Sequence, residues 1–394
     1  MPKEQSIDDI QILRAWAILL VTIAHFQVYL IYWSSPFLKD FYYYFGGAFG
    51  VDLFFAISGF VIAKSLLPTL RNTQSTQEFF QAVKAFWIRR IWRLTPSSLL
   101  WIVLPLLLCL GFNESGAFFS LEANLRMAAA ALLKVSNFYA RTVWGQPEYK
   151  NVLSPYWSLS LEEQFYFILP LLVFFFRRKL IPLLLLIVSI QPFLHHGYFA
   201  LGVMRSEALF LGVLIAIWQS HPTYNHWNPK FLQHAFPRVL FSWIIIGSLI
   251  LLNSQIKLLP PGYSFGPAAL VSGAAVLAAS FNQNYFVKTH WLKSVLLWIG
   301  SRSYGLYLIH IPAFAASREI FHRGNPQNPV HLQGDFAIAF FVIFAILFTA
   351  FLAELNYRFF ELPLRYKGKA IANKYFPEKT PEQILSSREL PAYH

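Results

Sequence analysis

The feature that most constrains this chain is a series of long apolar runs, because a helix needs about 20 apolar residues to cross a lipid bilayer. Ten such runs occur in its 394 residues, although the fifth and seventh are short for a full crossing. They predict an all-α polytopic membrane bundle of about ten transmembrane helices. The predicted spans are residues 10–33, 46–67, 97–112, 157–176, 180–193, 199–219, 239–253, 265–281, 295–316 and 336–360.

Composition excludes several other classes of protein. Only 13% of residues are charged and 18% are aromatic, whereas a soluble domain carries about 25% charged residues. The net charge of +13 does not indicate nucleic-acid binding, because the Lys and Arg residues cluster beside apolar runs. The single cysteine, Cys109, lies within an apolar run and excludes a disulfide framework or a cysteine-based metal site. The first run lacks a small-residue cleavage site, so we expect it to remain as an anchor.

The distribution of positive charge predicts an orientation. With ten spans, the segments on the N-terminal side of the membrane hold 19 Lys and Arg residues and those on the other side hold 8. The positive-inside rule therefore predicts that both termini are cytoplasmic, in the cell inner (plasma) membrane. We expect a membrane domain at residues 1–366 and a short polar tail at residues 367–394.

Two of the predicted loops are more than connectors. Residues 76–92 place apolar side chains on one face, which is typical of a helix lying on the cytoplasmic membrane surface. Residues 113–155 form the longest outer loop and contain a predicted short helix at 120–136. We interpret this loop as a lid or a platform for an acceptor.

The first span carries two residues that are costly in lipid, Arg14 and His25. Eleven residues of α-helix return to within about 20° of the starting direction and rise about 16 Å. Both side chains therefore lie on one stripe, and we expect that stripe to face the protein interior rather than lipid.

Ionisable residues from four spans fall in one layer of the outer half of the membrane: His25, Asp52, the pair Glu162 and Glu163, and His310. A second, basic layer lies at the inner face. It contains Arg14, Arg89, Arg90, Arg93, Arg358 and Glu361.

Each of these residues also has a structural interpretation. A membrane histidine such as His25 or His310 is often only a hydrogen-bonding group of the core. Asp52 fits helix packing or capping, and one of the two glutamates fits the outer interface. The inner arginines fit a topology signal. The functional hypothesis therefore depends on the shared depth of these residues and on none of them singly.

The two layers together fit one ligand that threads the bundle. A phosphorylated donor such as coenzyme A would anchor at the basic layer, since its pantetheine arm is comparable in length to the separation of Arg14 and His25. A neutral His25 would act as a general base on an acceptor hydroxyl, or would accept the acyl group itself. A carboxylate, Glu162 or Asp52, would orient the imidazole. This chemistry requires no metal.

The ordered motifs of the chain resemble acyltransferase family 3, the bacterial multi-span membrane O-acyltransferases that modify surface glycans. The motifs are spread over nearly the whole chain. They are IQILRAWAILLVTIAHF, GVDLFFAISGFVI, RRIWRLTP, YWSLSLEEQFYFILP, IGSRSYGLYLIHIP and FFELPLR.

The resemblance implies ten core spans and a cytoplasmic acyl-CoA donor, often acetyl-CoA. The acyl group would pass to a hydroxyl of a carbohydrate or a lipid-linked glycan. It implies that Arg14 and His25 are an essential pair, that Arg90 and Arg93 bind the donor phosphates, and that Glu162 lies in the site. Some relatives carry an additional hydrolase-like domain, and we expect this chain to be a stand-alone form.

We assign the remaining polar residues of these motifs, Glu163, Tyr304 and His310, to substrate binding. The alternative function is a transporter or flippase that uses the same polar layer without acyl transfer. Transporters commonly contain repeated halves, and no similarity between halves is found here. The acceptor and the identity of the acyl group are left open by the sequence.

Overall fold

The computed structural model describes residues 7–31, 33, 35–194, 204–260, 263–324 and 335–377, with the side chains of 335–337 excepted. These residues form an all-helical bundle that contains no β-strand in the described part of the chain. The α-helices are α1 (Asp8–His25), α2 (Pro36–Tyr44), α3 (Gly50–Arg71), α4 (Thr76–Gly111), α5 (Leu121–Leu132), α6 (Ser136–Thr142), α7 (Tyr156–Phe176), α8 (Leu180–Ile190), α9 (Glu207–Trp218), α10 (Ala235–Leu252), α11 (Phe265–Ser280), α12 (His290–Ser301), α13 (Ser303–Gly324), α14 (Asp335–Asn356) and α15 (Leu362–Ala372).

The helical class of the prediction is confirmed, but the count of ten spans is not. Within the described ranges, five helical segments are long and apolar enough to cross a bilayer. These are Asp8–Leu30, Gly50–Arg71, Thr76–Gly111, Ala235–Leu252 and Ile338–Ala372. The predicted span 199–219 begins in residues outside the described part, and its remainder is the shorter α9.

The predicted surface helix and the third span are one continuous helix. α4 has 36 residues, or about 54 Å of helix, and begins after its N-cap Ser75, whose Oγ accepts from the Glu78 N–H at 3.1 Å. The prediction of a separate interfacial helix is therefore wrong. Its apolar face packs into the protein: the rings of Phe79 and Phe174 lie 5.3 Å apart.

Two later boundaries also differ from those predicted. The span predicted at 295–316 is two helices, α12 and α13, which meet at Arg302; this residue forms an ion pair of 2.8 Å with Glu354 of α14. After α14, a π-helical turn and then α15 extend the chain through the start of the predicted tail. Residues 378–394 of that tail lie outside the described residues.

The loop predicted on the outer side, residues 113–155 and here called the outer segment, contains the short helix that was predicted. α5 begins directly after its N-cap Ser120, whose Oγ accepts from the Ala123 N–H at 3.2 Å. Glu319 of α13 is fully buried and accepts from the backbone N–H groups of Glu114 and Ser115, at 2.9 and 2.8 Å. These bonds fix the start of the outer segment to the bundle.

α3 lies at the centre of the bundle and packs against α1, α9 and α11. Its closest approach is to α9, where Gly59 contacts the backbone of Leu209 and Gly212 contacts the backbone of Ala56. Because glycine has no side chain, the two backbones can approach closely. Arg14 of α1, Ser58 of α3 and Glu162 of α7 lie on one interior surface.

Candidate functional site

A cavity with many polar side chains in its lining lies between α1, α3, α4, α7 and the start of α13. It contains about 790 Å³ of space unoccupied by protein atoms, its open mouth included. Its polar lining consists of Arg14, Ser58, Arg90, Arg93, Ser158, Glu162, Tyr166, Ser301, Ser303, Tyr304, Tyr307 and Glu361. We call this space the arginine cavity.

Three half-buried arginines, Arg14, Arg90 and Arg93, give the cavity its charge. Arg90 lies over the rings of Phe86 and Tyr166, at 5.5 and 5.4 Å from their centroids. Within the described ranges none of the three arginines has a carboxylate within salt-bridge distance. Guanidinium groups that have no carboxylate partner are suited to binding an anion such as a phosphate.

Two carboxylates also line the arginine cavity. Glu162 accepts a hydrogen bond of 2.7 Å from Ser58 Oγ and another from the Tyr166 hydroxyl. Glu361, in the π-helical turn, accepts from Asn356 Nδ2 at 2.7 Å. With all five groups ionised, the three arginines leave an excess of one positive charge.

The two membrane histidines are direct hydrogen-bond partners. His25 Nδ1 lies 2.8 Å from His310 Nε2, and their rings are 5.0 Å apart. His310 is 1% exposed, whereas His25 is only half-buried. A π-helical turn, Phe26–Leu30, begins directly after His25. Such turns occur frequently at functional sites.

The histidine pair does not line the arginine cavity. Tyr307 contacts both the cavity and the histidine pair: it lines the cavity, and its ring centroid is 5.8 Å from that of His310. The Tyr307 hydroxyl shares a hydrogen bond of 2.7 Å with Ser158 Oγ. The cavity that contains Arg14 therefore does not reach His25 in this structure.

Asp52 does not orient His25. It is 1% exposed and forms an ion pair with Arg205, which lies just before α9. The Arg205 guanidinium also lies 4.2 Å from the ring centroid of Phe265. The prediction that Asp52 would orient the imidazole is therefore wrong. Burying a carboxylate is costly unless a cation pairs with it, and here that cation is Arg205.

Glu162 is also occupied elsewhere, so the residue bonded to His25 is His310 and not a carboxylate. Glu163 points away from the arginine cavity and forms an ion pair of 2.7 Å with Lys134. Tyr304 does line the cavity, and its hydroxyl donates to the Leu94 carbonyl at 2.8 Å. His310 does not line the cavity; it packs against Tyr307, which does.

Sequence reasoning missed three of the residues that define this site: Arg205, Ser158 and Tyr307. Ser158 and Tyr307 lie in the motifs YWSLSLEEQ and SYGLYLIH, so their position beside charged residues was an available signal. Arg205 lies within the predicted span 199–219, and nothing in its local sequence indicates Asp52 as its partner. Arg358 was placed in the basic layer, but it is 68% exposed and pairs with Glu354.

The described residues contain no group of three or more His, Cys, Asp or Glu side chains arranged to hold a metal ion.

A family model described as an acyltransferase domain matches residues 7–355 of the chain. The O-acetyltransferase OatA of Staphylococcus aureus (strain NCTC 8325 / PS 47) is 28% identical over 394 residues, which cover 93% of this chain and 58% of that protein. The peptidoglycan O-acetyltransferase OatA of Listeria monocytogenes (serovar 1/2a, strain ATCC BAA-679 / EGD-e) is 28% identical over 362 residues, or 85% of this chain and 54% of that protein. This chain thus spans little more than half the length of these curated relatives. No solved structure matches the chain.

Proposed function

Since the chain belongs to this acyltransferase family, we propose that it is an inner-membrane O-acyltransferase that uses acetyl-CoA from the cytoplasm. The acceptor is a hydroxyl of a cell-wall or surface carbohydrate, free or lipid-linked. Two similar proteins are named O-acetyltransferases, and one of them is named for peptidoglycan. The five long apolar helices support a membrane location.

The observation that carries this proposal is the arginine cavity itself. Three guanidinium groups without carboxylate partners in the described structure line one cavity, and Tyr307 of the same cavity packs against His310, the partner of His25. The phosphates of coenzyme A would bind at Arg14, Arg90 and Arg93. Arg14 and His25 are eleven residues apart on α1, about 16 Å, so the pantetheine arm would extend towards the histidines.

His25 is the proposed reacting group. In the direct form of the reaction, the acceptor hydroxyl attacks the thioester carbonyl while its proton passes to the imidazole. The C–S bond then breaks, and the coenzyme A thiolate takes that proton. In the alternative form, the imidazole attacks the thioester carbonyl, the C–S bond breaks, and the coenzyme A thiolate leaves with the imidazole N–H proton. The acceptor hydroxyl then attacks the acetyl-imidazole, and its proton returns to the ring as the acetyl group is transferred.

The test uses the full-length protein in lipid nanodiscs with radiolabelled acetyl-CoA and a soluble peptidoglycan fragment. We expect labelled product without any ion gradient, and its complete loss in His25→Ala. A transporter would show no covalent product under these conditions. Wild-type product levels in a correctly inserted His25→Ala protein would contradict the proposed role of this residue.

The donor site has its own prediction. The double variant Arg90→Gln/Arg93→Gln should raise the KM for acetyl-CoA by about tenfold or more, because each charged hydrogen bond to a phosphate contributes about 1.5–3 kcal/mol. Arg358→Gln is the matched control, since this arginine lies outside the cavity. An unchanged KM in the double variant would place the donor elsewhere.

A further inference from the structure

The hydrogen bonds of the histidine pair determine which ring nitrogens carry hydrogen. His310 Nδ1 lies 3.1 Å from the backbone oxygen of Leu306. A carbonyl oxygen only accepts hydrogen bonds, so His310 Nδ1 carries the hydrogen. A neutral imidazole has one N–H group, and therefore His310 Nε2 is an acceptor.

The same reasoning extends to the neighbouring ring. His25 Nδ1, 2.8 Å from His310 Nε2, has to supply the hydrogen of that bond. A neutral His25 with hydrogen on Nδ1 has its free lone pair on Nε2. The hydrogen bonds thus run in one direction, from His25 to His310 and from His310 to the Leu306 carbonyl.

We propose that His310 is a positioning residue that holds His25 as the Nδ1–H tautomer and thereby makes Nε2 the reactive atom. This inference rests on the proposed function and specifies its chemistry. In the direct reaction the acceptor's proton moves to Nε2 as its oxygen bonds to the acetyl carbon. When the C–S bond breaks, that proton passes from Nε2 to the departing thiolate.

A neutral orienting group suits the surroundings of His25. Burying a carboxylate without a paired cation is costly, and the two nearby carboxylates are already bonded, Asp52 to Arg205 and Glu162 to Ser58. His310 instead lies among aromatic rings, with Tyr307 at 5.8 Å and Phe314 at 5.9 Å between centroids. While His25 carries the transient positive charge, the His310 Nε2 lone pair still accepts from its Nδ1–H.

The first test separates positioning from donor binding. His310→Ala should lower kcat by at least about tenfold and leave the KM for acetyl-CoA within about twofold. His310→Gln keeps an acceptor near the Nε2 position and should retain more activity. His322→Ala, a histidine at the far end of the same helix, is the matched control. Wild-type kcat in a folded His310→Ala protein would overturn the inference.

A sharper test replaces residue 25 with methylated histidines. In Nδ-methylhistidine the methyl group keeps the lone pair on Nε2 even when no residue accepts a hydrogen bond from Nδ1. In the His310→Ala protein, this analogue at position 25 should therefore give a kcat at least about tenfold higher than ordinary histidine does. Nε-methylhistidine in the otherwise native protein should abolish transfer. A merely structural role for His310 predicts no gain from the first analogue, and activity with the second would also overturn the inference.

The tautomer can be measured without activity. Nitrogen-15 spectra of histidine-labelled protein distinguish protonated from unprotonated ring nitrogens, and the difference from His25→Gln assigns the signals of residue 25. We expect hydrogen on Nδ1; hydrogen on Nε2 overturns this inference. The Nδ1–H tautomer in a protein that transfers no acetyl group would instead refute the proposed function alone.

Discussion

Glu162 and Glu163 are neighbours in sequence with unlike surroundings. Successive residues of an α-helix point about 100° apart, so adjacent side chains can have different surroundings. Glu162 lines the arginine cavity beside Ser58 and Tyr166, whereas Glu163 pairs with Lys134 of the outer segment. The two residues therefore provide a chemically matched comparison.

Glu162→Gln should lower the rate of acetyl transfer by about tenfold or more, because the change removes a charge and two charge-assisted hydrogen bonds from the cavity. Glu163→Gln should stay within about threefold of wild type, since its ion pair is partly exposed. Transfer rates in nanodiscs at equal protein amounts measure both. Equal losses in the two variants would contradict the separation of their roles.

The buried ion pair between Asp52 and Arg205 allows a prediction about the stability of the protein. Both side chains are nearly fully buried, and removal of one partner leaves an uncompensated charge that costs about 3–5 kcal/mol. Asp52→Asn should therefore lower the thermal midpoint of the purified protein, followed by tryptophan fluorescence. Asp52→Asn/Arg205→Leu should recover part of the loss. Strictly additive losses would show that the pair is not coupled.

For single residues, the sequence predicts which polar side chains lie at the same depth in the bundle, but not which of them bond to each other. Helix geometry alone places Arg14 and His25 on one stripe, and depth places His310 in the same layer. A layer holds several polar groups, however, and choosing among partners requires the packing angles of four helices. Arg205, 153 positions from Asp52, is beyond any local pattern.

Among the elements, α3 and α9 depend most on the absence of side chains. A β-carbon on Gly59 would overlap the backbone oxygen of Leu209, which has no freedom to move. Gly59→Ala should therefore separate these helices and cost about 1–3 kcal/mol. The measurement is the thermal midpoint in detergent, with the fraction of monodisperse protein as a second readout.

Gly247→Ala is the control for this change. A β-carbon on Gly247, in α10, meets no atom within 4 Å, and alanine favours a helix over glycine by about 1 kcal/mol. We expect this variant to be neutral or slightly stabilised. If Gly59→Ala matched it, the close approach of α3 and α9 would contribute little to stability.

Helix boundaries were the weakest part of the element predictions, and α4 shows why. The polar sequence RLTPSS interrupts the apolar pattern and predicts a break near Arg93 and Pro96. In the folded chain this stretch stays helical, because Arg93 faces a polar cavity instead of lipid. A hydropathy pattern reports lipid contact, and it cannot distinguish a polar loop from a helix that lines an internal cavity.

For the whole molecule, the proposed function depends on orientation, because the arginine cavity would have to open to the cytoplasm for acetyl-CoA to enter it. The proposed orientation follows from the excess of Lys and Arg on one side of the predicted spans. α4 connects the two sides: Gln74 precedes its first turn, and Gln146 lies in the outer segment that follows it. Both glutamines are exposed.

These two positions allow a paired test of the whole topology. In a Cys109→Ala background, which removes the one buried thiol, Gln146→Cys should react with a membrane-impermeant maleimide added to intact spheroplasts. Gln74→Cys should react only after the membrane is opened, because the proposed orientation places its segment in the cytoplasm. The same Gln→Cys change at both positions equalises the chemistry of the thiols. If Gln74→Cys were labelled in intact spheroplasts and Gln146→Cys were protected, the orientation would be the reverse of the proposed one. The arginine cavity would then face away from the cytoplasm, which would exclude cytoplasmic acetyl-CoA as the donor.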